Sequence, residues 1–193
     1  MTTFQELKEA IIAHSKEIGI DKIGFTTADP FTELKRRLIE QERLQYKSGF
    51  EKGSIEERTE PKRLLPGAQS IIAIALAYPT KLKDAPKSKP GARRGIFSRT
   101  SWGTDYHVVL RERLEKLAAF IEDQVTDFSY NIMVDTGELS DRAVAERAGI
   151  GFSGKNASII TEEFGSFVYL GEMITNIPFE PDEPVELSCG DCR

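Results

Sequence analysis

The residues whose types and spacing are most suggestive of chemistry lie in the stretch 134–156. It opens with Asp135, whose carboxylate follows the apolar run 132–134, and that run predicts the end of a buried strand. Asp135-Thr136-Gly137 then predicts a turn, because glycine tolerates positive φ and aspartate hydrogen-bonds to nearby backbone. The sequence therefore places a carboxylate in a turn at a strand end.

A short helix and a glycine-rich loop complete this stretch. Ser140 is in position to N-cap a helix over 141–148, and Gly149 is in position to end it. Three glycines fall within six residues from Gly149 on, and Lys155 and Asn156 follow. Such a loop lets the backbone approach a ligand closely and offers free N–H groups. The carboxylate, the helix N-terminus and the loop together predict a cofactor site; the alternative is an ordinary strand–helix connection with turn glycines.

Composition places the chain among globular proteins with one core. It has 193 residues, of which 39% are hydrophobic and 30% are charged, and its net charge is −5. The negative charge gives no overall case for nucleic-acid binding, so such binding must use a local patch. No apolar run approaches the length of a membrane span, no secretory signal is visible, and two cysteines argue against a disulfide framework. We therefore expect a cytoplasmic protein that does not enter a membrane.

A local basic patch lies in the loop 80–95, which we call the basic loop. Its six basic residues are accompanied by a single acid, Asp84. They are Lys81, Lys83, Lys87, Lys89, Arg93 and Arg94. A patch of this kind can contact phosphates, and the alternative is a solvated loop without a partner.

Two further segments carry candidate residues. The segment 97–107 is dense in polar and aromatic residues and holds Trp102 and His107. A histidine at a helix start is more often structural than catalytic, although this neighbourhood favours a functional role more than most. The polar loop 49–61 contains Arg58, and a charged loop of this kind is usually solvated surface.

The elements that must position these residues follow the order α-β-α-β-α-β-α-β-β. Thr3 and Glu6 form a capping box before the first helix. The continuously apolar stretch 70–78 predicts a strand that is covered on both faces, and the segments 157–161 and 166–174 predict a hairpin. This order predicts an α/β fold with a single mixed sheet, in which part of the pairing is antiparallel.

The end of the sequence combines a proline-spaced segment with a cysteine pair. Three prolines between 178 and 184 predict a linker without regular structure. The pair Cys189-x-x-Cys192 could be half of a zinc site, a redox dithiol or the start of an iron–sulfur ligand run. No third or fourth cysteine is present to complete a zinc or cluster site. We therefore expect this chain to be the N-terminal piece of a longer protein.

Several longer motifs carry a family resemblance. They are Arg94-Gly95-Ile96-Phe97, Trp102-Gly103-x-Asp105-Tyr106-His107, the run 134–152 that begins Val134-Asp135-Thr136-Gly137-Glu138, Lys155-Asn156, and Gly171-Glu172-Met173-Ile174-Thr175-Asn176. On these motifs the chain resembles the bacterial epoxyqueuosine reductases over essentially all of its 193 residues. It departs from the family pattern by stopping at Arg193, before most of the cysteines of a Cys-x-x-Cys-x-x-Cys-x-x-x-Cys-Pro run.

The resemblance implies a function and a domain organisation. Family members reduce epoxyqueuosine to queuosine at the wobble position of certain transfer RNAs, using cobalamin and two 4Fe-4S clusters. The implied domains are a nitroreductase-like, cobalamin-binding catalytic domain over 1–176, similar to that of reductive dehalogenases, and a linker with the start of a ferredoxin-type domain over 177–193. The implied partners of this monomeric enzyme are transfer RNA and an external electron donor. This fragment alone is expected to be inactive, because two cysteines cannot complete a four-thiolate cluster.

The resemblance also assigns roles to residues. It implies that Asp135 donates a proton to the departing oxygen, and that Cys189 and Cys192 ligate the first cluster. It implies cofactor contacts from Arg58, Ser98, Tyr106, His107, Asp135, Arg142, Ser153, Lys155, Ile159 and Leu170. Two alternatives stay open: a flavin-dependent nitroreductase-like oxidoreductase, and a non-catalytic module that binds a corrinoid or RNA.

Overall fold

The fold of the chain is given by a computed structural model that describes residues 3–78, 81, 83–84 and 86–191. The helices are α1 (Phe4–Glu17), α2 (Thr32–Arg43), α3 (Pro61–Leu64), α4 (Tyr106–Glu122) and α5 (Asp141–Arg147), with a 3₁₀ turn at Arg99–Ser101. The strands are β1 (Lys22–Thr27), β2 (Ser70–Ala77), β3 (Tyr130–Met133), β4 (Phe152–Ser153), β5 (Ile159–Ile160) and β6 (Val168–Thr175).

A four-stranded sheet forms the centre of the fold. Its strand order is β1-β2-β6-β3, and each neighbouring pair is antiparallel. The strands β2 and β6 pair over their full length, from Ser70 opposite Thr175 to Ala77 opposite Val168. The α/β class is confirmed, whereas the expected mixed sheet is wrong, because successive neighbours in this sheet run in opposite directions and no parallel pair forms among them.

The pairing expected for the last two strands is also wrong. The short strand β5 pairs with β4 in a separate two-stranded sheet, where Phe152 lies opposite Ile160. The strand β6 lies between β2 and β3 instead, and an isolated bridge between Thr161 and Gly165 is what remains of the expected hairpin in the described part of the chain. Between β2 and β3 the strand β6 buries far more apolar surface than beside a two-residue strand, so the central position is favoured.

Helices cover both faces of the large sheet. On one face α1 and α4 pack over the strands, and Leu114 of α4 and Ile72 of β2 are fully buried there. On the other face α5 packs over β2 and β6, and Val144 and Ile71 are fully buried. Because β2 contributes apolar side chains to both faces, the expectation that this strand is covered on both sides is confirmed. None of the helices within the described residues is long and apolar enough to cross a membrane.

The helix caps follow their sequence signals at α1 and depart from them at α5. The Thr3 hydroxyl oxygen accepts the Glu6 N–H at 3.2 Å, and a Glu6 carboxylate oxygen accepts the Thr3 N–H at 2.7 Å, so the capping box is confirmed. Ser140 occupies the N-cap position of α5, but its side chain makes no capping hydrogen bond.

The segment after β6 is extended and tied to the body of the fold. As the prolines predict, the described residues from Pro178 to Asp191 form no helix or strand. Lys8 of α1 holds this segment, because its Nζ lies 2.6 Å from Asp182 Oδ1. The second oxygen of Asp182 accepts the Phe25 N–H at 2.9 Å. These contacts hold the segment that leads to Cys189 against α1 and β1.

Candidate functional site

A pocket of about 660 Å³ lies where α4 and α5 begin, beside the first residues of β6. Its walls combine apolar side chains with hydroxyl and charged groups. The apolar side chains include Leu139, Ile159, Val168 and Leu170, the hydroxyl groups are those of Tyr78, Thr100, Tyr106, Ser140, Ser158, Ser166 and Tyr169, and the charged groups are Asp135, Asp141 and Arg142. The pocket is therefore built by elements that are distant in the sequence.

Asp135 stands on the turn after β3, at the rim of this pocket. Its backbone φ is +54°, a left-handed conformation that aspartate adopts more readily than most residues. Its N–H donates to Oδ2 of Asp141 at 2.9 Å. Glycine is required at Gly137, because a Cβ there would lie 2.7 Å from the Met133 side chain. The turn thus depends on its own residues and on Asp141, and it leaves the Asp135 side chain 60% exposed.

Two side chains from the start of α4 approach the Asp135 carboxyl. The Tyr106 hydroxyl donates to Asp135 Oδ2 at 2.6 Å, and His107 Nε2 lies 3.3 Å from the same oxygen without the alignment of a hydrogen bond. Asp105 caps the helix by accepting the His107 N–H at 2.9 Å, and the same oxygen lies 2.8 Å from His107 Nδ1. These bonds to His107 hold the pKa of Asp105 below its usual value. The cap therefore orients both residues towards Asp135.

A stack of aromatic rings holds Tyr106 in place. The Tyr106 ring lies 4.5 Å from the Tyr169 ring, which in turn lies 4.2 Å from the Tyr78 ring. The Tyr169 hydroxyl donates to the Thr100 carbonyl at 2.9 Å. Burial raises the pKa of the Tyr106 hydroxyl, and its hydrogen bond to Asp135 raises it further. Tyr106 therefore keeps its proton near neutral pH and acts as a hydrogen-bond donor to Asp135.

A pair of carboxyl groups lies behind the Asp135 turn. Glu172 of β6 is 1% exposed, and its side chain interacts with that of Asp141, the first residue of α5. Desolvation and the neighbouring Asp141 carboxyl raise the pKa of Glu172 well above 4.5, and desolvation also raises the pKa of Asp141. No cation among the described residues offsets the charge of Glu172.

Comparison with known proteins shows which family the chain resembles. Residues 58–136 match the family model described as "Epoxyqueuosine reductase QueG, DUF1730". The epoxyqueuosine reductase of Bacillus cereus is 68% identical over 189 residues, which cover 98% of this chain and 50% of that protein. The chain is therefore similar to epoxyqueuosine reductases. The epoxyqueuosine reductase of Escherichia coli is 32% identical, over 97% of this chain and 50% of that protein, so the chain spans about half the length of the curated relatives it matches.

Solved structures of the family have the same fold. An epoxyqueuosine reductase crystallised with a tRNA-Tyr epoxyqueuosine-modified stem loop is 63% identical, with a TM-score of 0.93 over 98% of this chain and 50% of that chain. The Bacillus subtilis enzyme, solved with an aspartate-bearing catalytic loop swung out of its active site, is 61% identical, with a TM-score of 0.93 over 99% of this chain and 50% of that chain. A reductive dehalogenase, 12% identical, shares the fold with a TM-score of 0.61 over 96% of this chain and 21% of that chain. The relatives favour the epoxyqueuosine reductase interpretation over both alternatives.

The structure brings five of the residues that the family resemblance implies into the pocket. They are Tyr106, Asp135, Arg142, Ile159 and Leu170. Arg142 is held at the pocket wall because its Nη1 donates to the Ala157 carbonyl at 2.8 Å. Arg58 lines an adjoining pocket of about 460 Å³, and the two pockets share Asp135 and Leu139. These residues therefore surround one carboxyl group.

Three other implied residues lie near the pocket without lining it. His107 lines a neighbouring pocket while it approaches Asp135. Ser98 accepts the Thr100 hydroxyl at 3.1 Å, and Thr100 lines the main pocket. Ser153 lines a separate pocket between α2 and α5. The structure does not bring Ser98 or Ser153 to Asp135.

The glycine loop 149–156 is packed into the chain. The N–H of Ser153 donates to Glu146 Oε1 at 2.8 Å, and the N–H of Gly154 donates to the Ser158 carbonyl at 2.9 Å. The expectation that this loop offers free N–H groups is therefore wrong at both residues, because partners within the chain already use them.

The cysteine end of the chain lies against this loop. Lys155 donates from its N–H to Cys189 Sγ at 3.4 Å and from its Nζ to the Gly190 carbonyl at 2.9 Å. Lys155 thus contacts Cys189 and Gly190, and it does not line the pocket. Cys192 lies outside the described residues. Within residues 3–78, 81, 83–84 and 86–191, no group of three or more His, Cys, Asp or Glu side chains could hold a metal ion.

Sequence reasoning gave no role to three residues of the site: Tyr78, Tyr169 and Glu172. Glu172 did leave a signal, because it is the acidic residue in the apolar strand β6, and an acid in a buried strand indicates a paired or functional group. Tyr78 and Tyr169 left none, since their stacking depends on how β2 and β6 pair.

Proposed function

We propose that this chain is the cofactor- and substrate-binding part of a cytoplasmic, monomeric epoxyqueuosine reductase, which reduces epoxyqueuosine to queuosine at the wobble position of transfer RNA. The observation that carries the proposal is the Asp135 carboxyl, which is exposed at the pocket rim and receives a hydrogen bond from Tyr106. Relatives of that name at 68% and 32% identity support it, as does the relative crystallised with an epoxyqueuosine-modified stem loop.

The cofactor that we propose for the pocket is cobalamin. Leu139, Ile159 and Leu170 offer apolar surface for a flat macrocycle, and Arg142 and Ser158 offer polar groups for its amide-bearing edge. When bound, the cobalt supplies the reducing power for the reaction. A reductive dehalogenase of the same fold is described as B12-dependent, which supports a corrinoid in this pocket.

In this proposal Asp135 donates the proton that the epoxide oxygen needs. Ring opening and loss of that oxygen as water require an acid within hydrogen-bond reach of it. The Tyr106 hydroxyl occupies Oδ2 of Asp135, while Oδ1 makes no hydrogen bond with the described residues and is free to carry the proton. His107 lies between Asp105 and Asp135 and can return a proton to Asp135 after a small rotation of its ring. The aspartate on the catalytic loop of the Bacillus subtilis relative supports this role.

For electron delivery we propose that Cys189 and Cys192 begin the ligand set of a 4Fe-4S cluster, whose other ligands lie outside this chain. The Lys155 N–H that points at Cys189 Sγ is a donor of the kind that stabilises thiolate ligands. Lys155 is two residues from Ala157, which lines the pocket. The loop that contacts Cys189 therefore also borders the pocket. Electrons come from an external donor, and this chain alone does not turn over, because two thiolates do not complete a cluster.

Reconstitution of the full-length enzyme that contains this chain tests the proposal. The enzyme is loaded with cobalamin or, as a control, with flavin mononucleotide, and is assayed on an epoxyqueuosine-modified stem loop with a reductant. We expect queuosine to form with cobalamin, together with a change in its visible spectrum on reduction. Turnover with flavin alone, or binding of cobalamin and RNA without any turnover, would contradict the proposal.

A further inference from the structure

A line of contacts runs from the centre of the sheet to the backbone of Asp135. It begins at Glu172 of β6, which is 1% exposed and whose Oε1 has no hydrogen-bond partner among the described residues. The Glu172 side chain interacts with the carboxyl of Asp141 at the start of α5. Asp141 accepts the Asp135 N–H at 2.9 Å. Two contacts therefore separate Glu172 from the residue that we propose as proton donor.

The charges around Glu172 do not allow both carboxyls to ionise. The titratable groups nearest to Glu172 are Asp141 on α5 and Asp135 on the turn, and Tyr106 and His107 of α4 lie beyond Asp135. The cations of α5, Arg142 and Arg147, donate to backbone carbonyls elsewhere. The flanking strands place Ala73 and Met133 opposite Glu172, so neither supplies a cation there. Two adjacent carboxylates without a cation repel strongly in a buried site, so the pair holds one proton.

We propose that Glu172 is a positioning residue for Asp135: in its neutral form it donates to the Asp141 carboxylate, and that carboxylate holds the Asp135 N–H. Asp135 needs this restraint because its φ of +54° is strained for a residue other than glycine. Loss of the proton places two negative charges together and releases the turn. The inference rests on the proposed role of Asp135 and adds the residue that keeps this acid in place.

The shared proton makes the turn sensitive to rising pH. Burial and the Asp141 carboxyl raise the pKa of Glu172 well above 4.5. A carboxyl whose pKa rises on folding stabilises the folded chain fully below its unfolded pKa, and this contribution is lost as the pH rises towards its folded pKa. As the pH rises above 4.5, we therefore expect wild type to lose stability relative to Glu172→Gln, which has no proton to lose at this position.

Three variants of the full-length enzyme test the proposal. Glu172→Leu keeps the volume but cannot donate, Glu172→Gln can donate but cannot ionise, and Glu162→Gln is a matched control at an exposed glutamate. We expect Glu172→Leu to lower kcat by roughly 10²-fold, the cost of a misplaced catalytic group, with KM changed by less than about twofold. Glu172→Gln should recover most of that loss and move the alkaline limb of the kcat profile to higher pH. Identical alkaline limbs in wild type and Glu172→Gln would overturn the proposal.

Two measurements on the same variants do not depend on turnover. The first is the infrared band of a neutral buried carboxyl, expected in wild type at neutral pH and absent in Glu172→Gln. The second is hydrogen exchange of the Asp135 amide, expected to be faster in Glu172→Leu; if that variant does not fold, the infrared comparison decides. Absence of the band in wild type, or equal exchange in a folded Glu172→Leu, overturns the proposal. If both results hold but Asp135→Asn keeps full turnover, the proposed acid role fails and the positioning role stands.

Discussion

At the scale of single residues, the Tyr106 hydroxyl decides which oxygen of Asp135 can carry a proton. It donates to Oδ2 at 2.6 Å, and its raised pKa keeps it a donor near neutral pH. The bond therefore orients the carboxyl and leaves the other oxygen free. Because the Tyr106 ring is held by Tyr169 at 4.5 Å, the hydroxyl can be removed without removing the ring.

Tyr106→Phe is expected to fold and to bind cofactor, because the ring stack does not need the hydroxyl. Turnover of the full-length variant should fall by about 10- to 100-fold, since a hydrogen bond to a charged group contributes about 1.5–3 kcal/mol. Tyr130→Phe is a matched control, because the Tyr130 hydroxyl makes no hydrogen bond with the described residues; its turnover should be unchanged. A wild-type kcat/KM in Tyr106→Phe would show that the hydroxyl does not assist Asp135.

Residue by residue, local signals were predictable and long-range partners were not. The turn at Asp135 follows from its own residues, as its φ of +54° and the close approach of Gly137 to Met133 show. Tyr106 lies 29 residues before Asp135 in the sequence, and only the packing of α4 against β6 brings the two together. The family resemblance named Tyr106, whereas the residues alone gave no reason to pair it with Asp135.

At the scale of elements, the contact between α1 and the extended segment 178–191 has a measurable energetic role. The Lys8 side chain is 9% exposed, and its Nζ donates to Asp182 Oδ1 at 2.6 Å and to the Glu180 carbonyl at 2.7 Å. Asp182 is partly exposed, so solvent weakens the ion pair. The two hydrogen bonds to a buried ammonium group nevertheless favour the docked segment.

Lys8→Met should lower the free energy of unfolding of this chain by about 1–2 kcal/mol, because the hydrogen bonds are lost while the apolar stem is retained. Urea unfolding followed by circular dichroism measures the change. Lys16→Met on the same helix is the control, since Lys16 is exposed and forms no ion pair with the described residues. Equal midpoints for wild type and Lys8→Met would mean that the segment is not held by this contact.

The sequence predicted most elements closely but mispaired some of them. The bounds of β2 lie within one residue of the expected stretch 70–78, because an apolar run is a local signal. The expected hairpin was wrong because strands compete for partners, and β6 pairs with eight residues of β2. The expectation of an open glycine loop was wrong because packing requires glycine there: a Cβ on Gly151 would clash with the Ile160 carbonyl oxygen.

At the scale of the whole molecule, charge is unevenly distributed. The net charge is −5, yet the six basic residues of the basic loop are all exposed. Lys87, Lys89, Arg93 and Arg94 form no ion pair with the described residues. Their charges are therefore available to phosphates, and the sequence-based expectation of a phosphate-binding patch stays a prediction.

Replacing Lys87, Lys89, Arg93 and Arg94 with Ala in the full-length enzyme should weaken binding of the epoxyqueuosine-modified stem loop. The slope of log K against log salt should fall by about 0.7–0.9 for each phosphate contact that is lost. Arg36→Ala with Arg43→Ala is the control, because both side chains are paired with acids of their own helix. Unchanged affinity and slope in the fourfold variant would show that the basic loop is solvated surface without a phosphate partner.

The central claim, that Asp135 delivers the proton, is tested most directly by turnover of Asp135→Asn in the full-length, cobalamin-loaded enzyme on an epoxyqueuosine-modified stem loop. Asparagine tolerates the positive φ and keeps the backbone N–H that Asp141 accepts, but it cannot supply the proton. Thermal unfolding and bound cobalamin, measured on the same sample, should match wild type. We predict that turnover falls by at least about 10²-fold. Turnover close to wild type in a folded, cobalamin-loaded Asp135→Asn would contradict the account.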